Sequence, residues 1–182
     1  ASIKFGETTT TADVEGEIIE TRPVDFTEEQ LHKALESLTG EIDQIPPMYS
    51  ALKKDGVRLY ELARQGQEIE REPRRVTVYE LELLSFNKPE ALVRVKCSKG
   101  TYVRVLGEDI GKILGCGAHL TALRRTKIAD IDISEAVSLQ DFEEADIAQR
   151  LDMLDPPDRL LSQLEPIELK EELAVRFLHG QS

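Results

Sequence analysis

Residues 75–98 constrain the fold of this 182-residue chain more tightly than any other stretch. Arg75 to Phe86 is rich in Val, Tyr and Leu, residues that suit a pleated, half-buried surface. Asn87-Lys88-Pro89 is a turn signal. In the next stretch Ala91, Val93, Val95 and Cys97 share one face, and Leu92, Arg94, Lys96 and Ser98 share the other. That period of two predicts a strand with one face in a core and one face mostly polar and basic. Strand, turn and strand make an antiparallel hairpin, which commits the chain to an antiparallel sheet.

The remaining signals place helices around that sheet. Ser2 to Phe5 and Glu17 to Ile19 read as short strands separated by a polar turn, Thr8 to Glu15. Thr27-x-x-Gln30 is a capping-box pattern, with Phe26 placed to staple against Leu31. Leu31, Ala34, Leu35 and Leu38 repeat at helical spacing, and Gly40 supplies the stop. Pro46-Pro47 breaks regular structure, and Leu59 to Gln65 is a short helix stopped by Gly66. Val103, Leu106, Ile110, Ile113 and Leu114 mark an amphipathic helix closed by Gly115. Ala122 to Ile133 reads as strand again. Beyond Ser134 come short acidic helices broken by Pro156-Pro157, and Glu171 to Leu178 begins another helix. The expected class is α+β, a mixed but mainly antiparallel sheet with flanking helices.

Net charge is -12, which on its own argues against nucleic acid. The distribution argues otherwise. Residues 1–50 carry -8 and residues 129–182 carry -10, whereas residues 51–75 carry +2 and residues 91–128 carry +6. An electrostatic footprint is local, so the basic middle matters more than the total. No apolar run approaches the roughly 20 residues of a membrane span. Cys97 and Cys116 are the only cysteines, which argues against a disulfide scaffold and fits a reducing cytoplasm.

Three segments carry candidate chemistry. In Cys97-Ser98-Lys99-Gly100-Thr101-Tyr102-Val103-Arg104 a strand turns at Gly100 and enters a helix. Val103 fits the buried stripe, so Tyr102 and Arg104 are free to floor a cleft that takes a base and its phosphate. From spacing alone an ordinary helix start, with a half-buried Tyr and a surface Arg, is the commoner case. In Gly115-Cys116-Gly117-Ala118-His119 the Cys-x-x-His pair lacks the partners that zinc or a nucleophile–base pair would need. Arg124, Arg125 and Lys127 beyond it suit phosphate. The third segment runs from Pro46 through Lys53, Lys54, Arg58 and Arg64 to Arg75, with Tyr49 and Tyr60 interleaved. It reads either as a mobile basic flap or as a surface connection.

Five ordered motifs together resemble the bacterial TruB family of pseudouridine synthases. They are Pro47-Met48-Tyr49-Ser50-Ala51-Leu52-Lys53, Leu59-Tyr60-Glu61-Leu62-Ala63-Arg64-Gln65-Gly66, Cys97 to Arg104, Gly115 to His119, and Leu123-Arg124-Arg125. Gly6 to Asp13 and Gly16-Glu17-Ile18 are also similar to that family, so the resemblance spans roughly residues 1–160. It implies isomerisation of a uridine in the tRNA T loop, by base flipping and without a cofactor. An Asp attacks the ribose or stabilises its cation, uracil turns over, and carbon five then loses a proton. The resemblance assigns that proton, and contact with the base, to Tyr102. It pairs Arg104 with the catalytic Asp and places Leu123 in the pocket lining. It makes 46–75 an RNA-clamping flap and gives Lys53, Arg64, Lys99, His119 and Arg124 to RNA. No metal, membrane or obligatory protein partner is implied; the partner is tRNA through its T stem-loop, in the cytoplasm.

The family's Gly-x-Leu-Asp motif, which carries the nucleophile, has no match here, nor do its upstream His and Tyr. Leu154-Asp155-Pro156 is superficially similar but lacks the Ala-Thr-Gly that follows, and reads as a linker. The expectation is therefore the middle of a longer enzyme. Residues 1–160 would be a partial catalytic domain, and 161–182 the start of a C-terminal RNA-binding domain. A T-arm-binding module without catalysis, and an acidic protein-interaction domain, are the rival readings.

Overall fold

In the computed structural model, which describes residues 1–54, 56–161 and 164–180, the chain forms two units, Ala1–Arg124 and Arg125–Ser182. The first runs β1 (Ser2–Phe5), β2 (Glu7–Thr9), β3 (Ile18–Thr21), α1 (Glu28–Ser37), β4 (Gly40–Gln44), β5 (Lys53–Lys54), β6 (Val57–Arg58), α2 (Leu59–Arg64), β7 (Arg74–Asn87), β8 (Glu90–Cys97), α3 (Val103–Ile113) and β9 (Ala118–Ala122). Five of these strands form one sheet in the order β4-β7-β8-β1-β9, antiparallel at every ladder. β2–β3 and β5–β6 are separate two-stranded ribbons.

The expected hairpin is β7–β8. Ala91 and Val93 are buried in the core, while Leu92, Arg94 and Lys96 face out, as the alternation requires. Across the outer face Arg94 pairs with Glu82 at 2.9 Å and Lys96 with Glu80 at 3.5 Å. These exposed pairs set register more than they stabilise. On the inner face Ile3, Phe5, Val78, Val93 and Leu120 meet Leu31 and Leu35 of α1 and Leu106 and Ile110 of α3. α1 starts as read: Gln30 N–H donates to the Thr27 hydroxyl at 3.2 Å, and Thr27 N–H donates to the Gln30 side chain at 2.7 Å. Phe26 sits edge-on to Phe5 at 4.9 Å and stacks on Phe86 at 5.5 Å, closing one end of the core.

α3 lies against β9 almost backbone to backbone. A Cβ on Gly111 would stand 2.3 Å from the Ala118 nitrogen, and one on Gly107 would stand 2.9 Å from a Leu120 methyl. Gly115 and Gly117, both at positive φ, reverse the chain between helix and strand. The strand expected from Ala122 to Ile133 is held only in part, as the short strands Lys127–Ile128 and Ile131–Asp132, and the strand that joins the main sheet lies earlier. It begins at Ala118, which pairs with Phe5 as soon as the glycines have turned the chain, and it ends at Ala122. Ile113, expected on the buried stripe, is 51% exposed. Leu114, four residues beyond Ile110, packs on the core in its place.

The second unit begins with the small hairpin β10 (Lys127–Ile128) and β11 (Ile131–Asp132), followed by α4 (Leu139–Glu144), α5 (Ile147–Asp152) and α6 (Glu171–Leu178). None of its described residues is buried. Its helices are capped locally: the Ser138 and Asp146 side chains accept from Asp141 and Gln149 N–H groups. Asp155, in the stretch read as a linker, is exposed and paired with Arg159. The further domain expected from residue 161 falls in this unit; within it, residues 162, 163, 181 and 182 lie outside the described residues. No helix among the described residues is long and apolar enough to cross a membrane.

The seam between α3 and β9 makes a stability prediction. Gly111→Ala must push helix and strand apart, and overpacking of this kind costs about 1–3 kcal/mol. The urea midpoint should fall with the slope unchanged; an unaltered midpoint would show that the seam has slack.

Candidate active site

The loop between β2 and β3 is built to present one carboxylate. Gly16 is required there, since a Cβ would lie 2.4 Å from the Thr11 hydroxyl. Ala12 adopts a φ of 62°, which only a tightly held loop imposes on a non-glycine residue. Leu120 N–H donates to the Ala12 carbonyl at 3.0 Å and anchors the loop to β9. Asp13 is fixed from three directions. Its carboxylate accepts the Thr11 hydroxyl at 2.6 Å and the Glu15 N–H at 3.1 Å, and the Thr9 hydroxyl donates to its carbonyl at 2.8 Å.

Arg104, on the first turn of α3, meets that carboxylate. Nη1 donates to Asp13 Oδ2 at 2.9 Å and to the Thr11 carbonyl at 3.4 Å, and Nη2 donates to the Tyr49 carbonyl at 2.8 Å. One guanidinium thus joins the β2–β3 loop, the root of the 46–75 segment and α3. Burial pushes the Asp13 carboxyl up, but the Thr11 hydroxyl, the Glu15 amide and the Arg104 guanidinium outweigh it and hold it below the usual carboxylate range. One turn on, burial pushes the Glu108 carboxyl up, and the nearby Lys112 charge only partly offsets it. The contrast separates a carboxylate that is hydrogen-bonded from one that is merely near cations.

Asp13, Val14, Glu15, Arg104, Leu120 and Leu123 line a cleft of about 270 Å³, with Thr121 and Ala122 completing it. That is the small end of the range for ligand clefts. Of the residues expected at the site, Arg104 and Leu123 therefore come together, and Leu123 is 58% exposed at the rim. Tyr102 caps α3 and is half-buried; it is not among the lining residues. Both amide groups of the buried Gln44 side chain hydrogen-bond its backbone. Lys99 and Arg124 are exposed, before α3 and after β9.

Lys53 and Arg64 are exposed on the 46–75 segment, of which Asp55 lies outside the described residues. The segment is folded rather than open. Leu59 N–H donates to Leu52 and Tyr60 N–H to Ser50, and Arg71 clasps the Pro46 carbonyl at 3.2 Å. Arg58 and Arg64 lie over the Tyr60 ring at 5.9 and 5.3 Å, which keeps two guanidiniums together on one aromatic platform.

His119 departs from expectation. It is 4% exposed on β9, with Nδ1 3.3 Å from the Glu7 carbonyl. β2 lies against β9 there, so His119, expected at the RNA surface, is a packed side chain. Cys116 is also buried; burial pushes its thiol up, away from the thiolate a nucleophile or metal ligand requires. The sequence reading passed over Asp13 as a site residue in its own right. The available signal was the hydroxyl-dense run Thr8 to Thr11 before an Asp and a Gly, the composition of a side-chain-braced turn.

Comparison with known proteins gives this arrangement a family. The model described as TruB family pseudouridylate synthase (N terminal domain) matches residues 1–103, more than half of the chain. The chain belongs to the TruB family. A second TruB model, tRNA pseudouridylate synthase B C-terminal domain, matches residues 104–169. A tRNA pseudouridine synthase B of Burkholderia lata is 53% identical over 181 residues, covering 100% of this chain and 56% of its own length. One of Chromobacterium violaceum is 52% identical over 181 residues, 100% of this chain and 59% of its own length. The chain thus spans less than two thirds of these curated relatives. Among solved structures, a chain of "Crystal Structure of a Cbf5-Nop10-Gar1 Complex" shares the fold with a TM-score of 0.56 at 25% identity, over 85% of this chain and 38% of that one.

The held carboxylate of this TruB-family site makes a pH prediction. Asp13 titrates lower when folded than when unfolded, so its contribution is complete above the ordinary carboxylate range of about 4 and is lost as pH falls through the folded value. Melting scans from pH 6 down to pH 2 should show Asp13→Asn less stable at pH 6 and the gap narrowing below pH 4. A gap independent of pH would place the effect in packing instead of charge.

Proposed function

We propose that this chain forms the pocket wall and RNA-facing flap of a cytoplasmic tRNA pseudouridine synthase that isomerises a uridine in the T loop. Its nucleophilic Asp comes from a segment outside these 182 residues. The observation that carries the reading is the Arg104–Asp13 pair at the back of a cleft rimmed by Leu123, in a chain of this family. Arg104 uses three of its five N–H donors on Asp13, Thr11 and Tyr49, and the rest are available to orient a second carboxylate.

The chemistry balances within one nucleotide. The target uridine leaves the stack, the incoming carboxylate attacks ribose carbon one or stabilises its cation, and the bond to uracil nitrogen one breaks. Uracil turns, carbon five bonds to carbon one as the carboxylate is released, and the proton lost from carbon five is balanced by one gained at nitrogen one, with Tyr102 as the group assigned to take it from carbon five. The exposed cations of the flap, Lys53, Arg58 and Arg64, meet phosphates of the T arm, joined by Lys99 and Arg124.

The test is tritium release from T-arm RNA carrying 5-tritiated uridine. The 182-residue chain is assayed alone and joined to the upstream segment of its relatives. Release only in the joined form is expected. RNA bound without release in either form would make the chain a T-arm-binding module, and neither binding nor release would leave an acidic interaction domain. The flap is tested separately: Lys53→Ala should weaken T-arm binding and reduce the slope of log affinity against log salt by about one. An unchanged slope would remove Lys53 from the phosphate contacts.

A further inference from the structure

Gln44 is 2% exposed, the most deeply buried polar side chain among the described residues. It is the last residue of β4, immediately before the flap, and 58 residues from its partner in sequence. Oε1 accepts the Tyr102 N–H at 2.7 Å, and Nε2 donates to the Tyr102 carbonyl at 3.2 Å. A planar amide that meets both backbone groups of one residue fixes the two peptide planes on either side of its Cα. It therefore fixes the direction in which the side chain leaves. Tyr102 needs such a hold: it caps α3 with an extended backbone, φ -98° and ψ 104°, and has no side-chain cap bond of its own. The Tyr102 carbonyl also accepts Leu106 N–H at 3.1 Å, so the same clamp sets where the first turn of α3, and with it Arg104, begins.

We propose that Gln44 is a positioning residue for catalysis, aiming Tyr102 from the root of the flap; this rests on the role given to Tyr102 above. Its chemistry is specific. Leu fills the space but bonds neither group. Asn is one methylene too short to reach both. A carboxyl in place of the amide accepts the N–H at any pH but can donate to the carbonyl only when protonated. The one charged residue opposite Gln44 in the β4–β7 register, Arg74, is exposed, and Tyr102 is its contact on α3.

The experiment uses the chain joined to its relatives' upstream segment and compares wild type, Gln44→Leu and Gln44→Glu. Single-turnover tritium release and T-arm affinity are measured from pH 5.5 to 8.5. Gln44→Leu is expected to keep affinity within about twofold and to lose about 10²-fold in rate, the scale of a slight misplacement of a reacting group. Gln44→Glu should recover towards wild type as pH falls, in rate and not in affinity. Wild-type rates in Gln44→Leu, or a rate deficit in Gln44→Glu that is flat with pH, would overturn the proposal. Hydrogen exchange at the Tyr102 amide reads the clamp without turnover: protection should drop in Gln44→Leu while the Val93 and Leu120 amides stay protected. Unchanged Tyr102 protection would also overturn it. A wild type that releases no tritium while its Tyr102 amide depends on Gln44 would fail the functional reading alone.

Discussion

One guanidinium holds the site together. Arg104 reaches the carboxylate of one loop and the carbonyls of two segments, joining 11–13, 49 and 104 by hydrogen bonds from one side chain. A side chain three-quarters covered by protein must have its donors met, because water no longer does so. The loop supplies a carboxylate that cannot swing away, since Thr11, Glu15 and the strained Ala12 fix it. Loop, flap root and helix are consequently one electrostatic assembly, and each is placed correctly only when the other two are.

The sheet beneath is what makes such exactness possible. β1 lies between β8 and β9, so the strand that leads into the β2–β3 loop is paired on both sides. The flap is joined differently. It contacts the site through the Tyr49 carbonyl and is closed at its neck by Arg71 on Pro46, while Lys53, Arg58 and Arg64 are exposed. Charge is divided too: acidic residues dominate the second unit, and the basic excess falls within 51–75 and 91–128.

Much of this is legible in the sequence. The period-two alternation of β8, the Thr27–Gln30 box and the glycine stops of α2 and α3 are local patterns, and local geometry enforces them. What could not be read is whatever depends on coverage from afar. His119 looks like an exposed residue after a glycine turn, because no local pattern records that a ribbon 112 residues earlier lies over it. Asp13 looks like solvent-facing turn chemistry, and only the arrival of Arg104 from 91 residues away turns it into half of an ion pair. Gln44 carries no sequence signal of its own between the Gly40 stop and the Pro46-Pro47 break. Its burial is decided by the start of α3, which the sequence places but does not orient.

The glycine seam between α3 and β9 has a mechanical meaning. A contact made through side chains can widen on the nanosecond scale as rotamers hop. A contact made through main chain has no such slack, because bond geometry and the ladders on either side resist it. Arg104 stands one turn before Gly107 on the helix, and Leu123 stands just past the end of the strand. The helix wall of the cleft is therefore a gauge pinned through main chain at Gly111, while at Gly107 a Leu120 methyl stands between helix and strand. Accommodation of different occupants has to come from the flap, whose links to this gauge are a few hydrogen bonds.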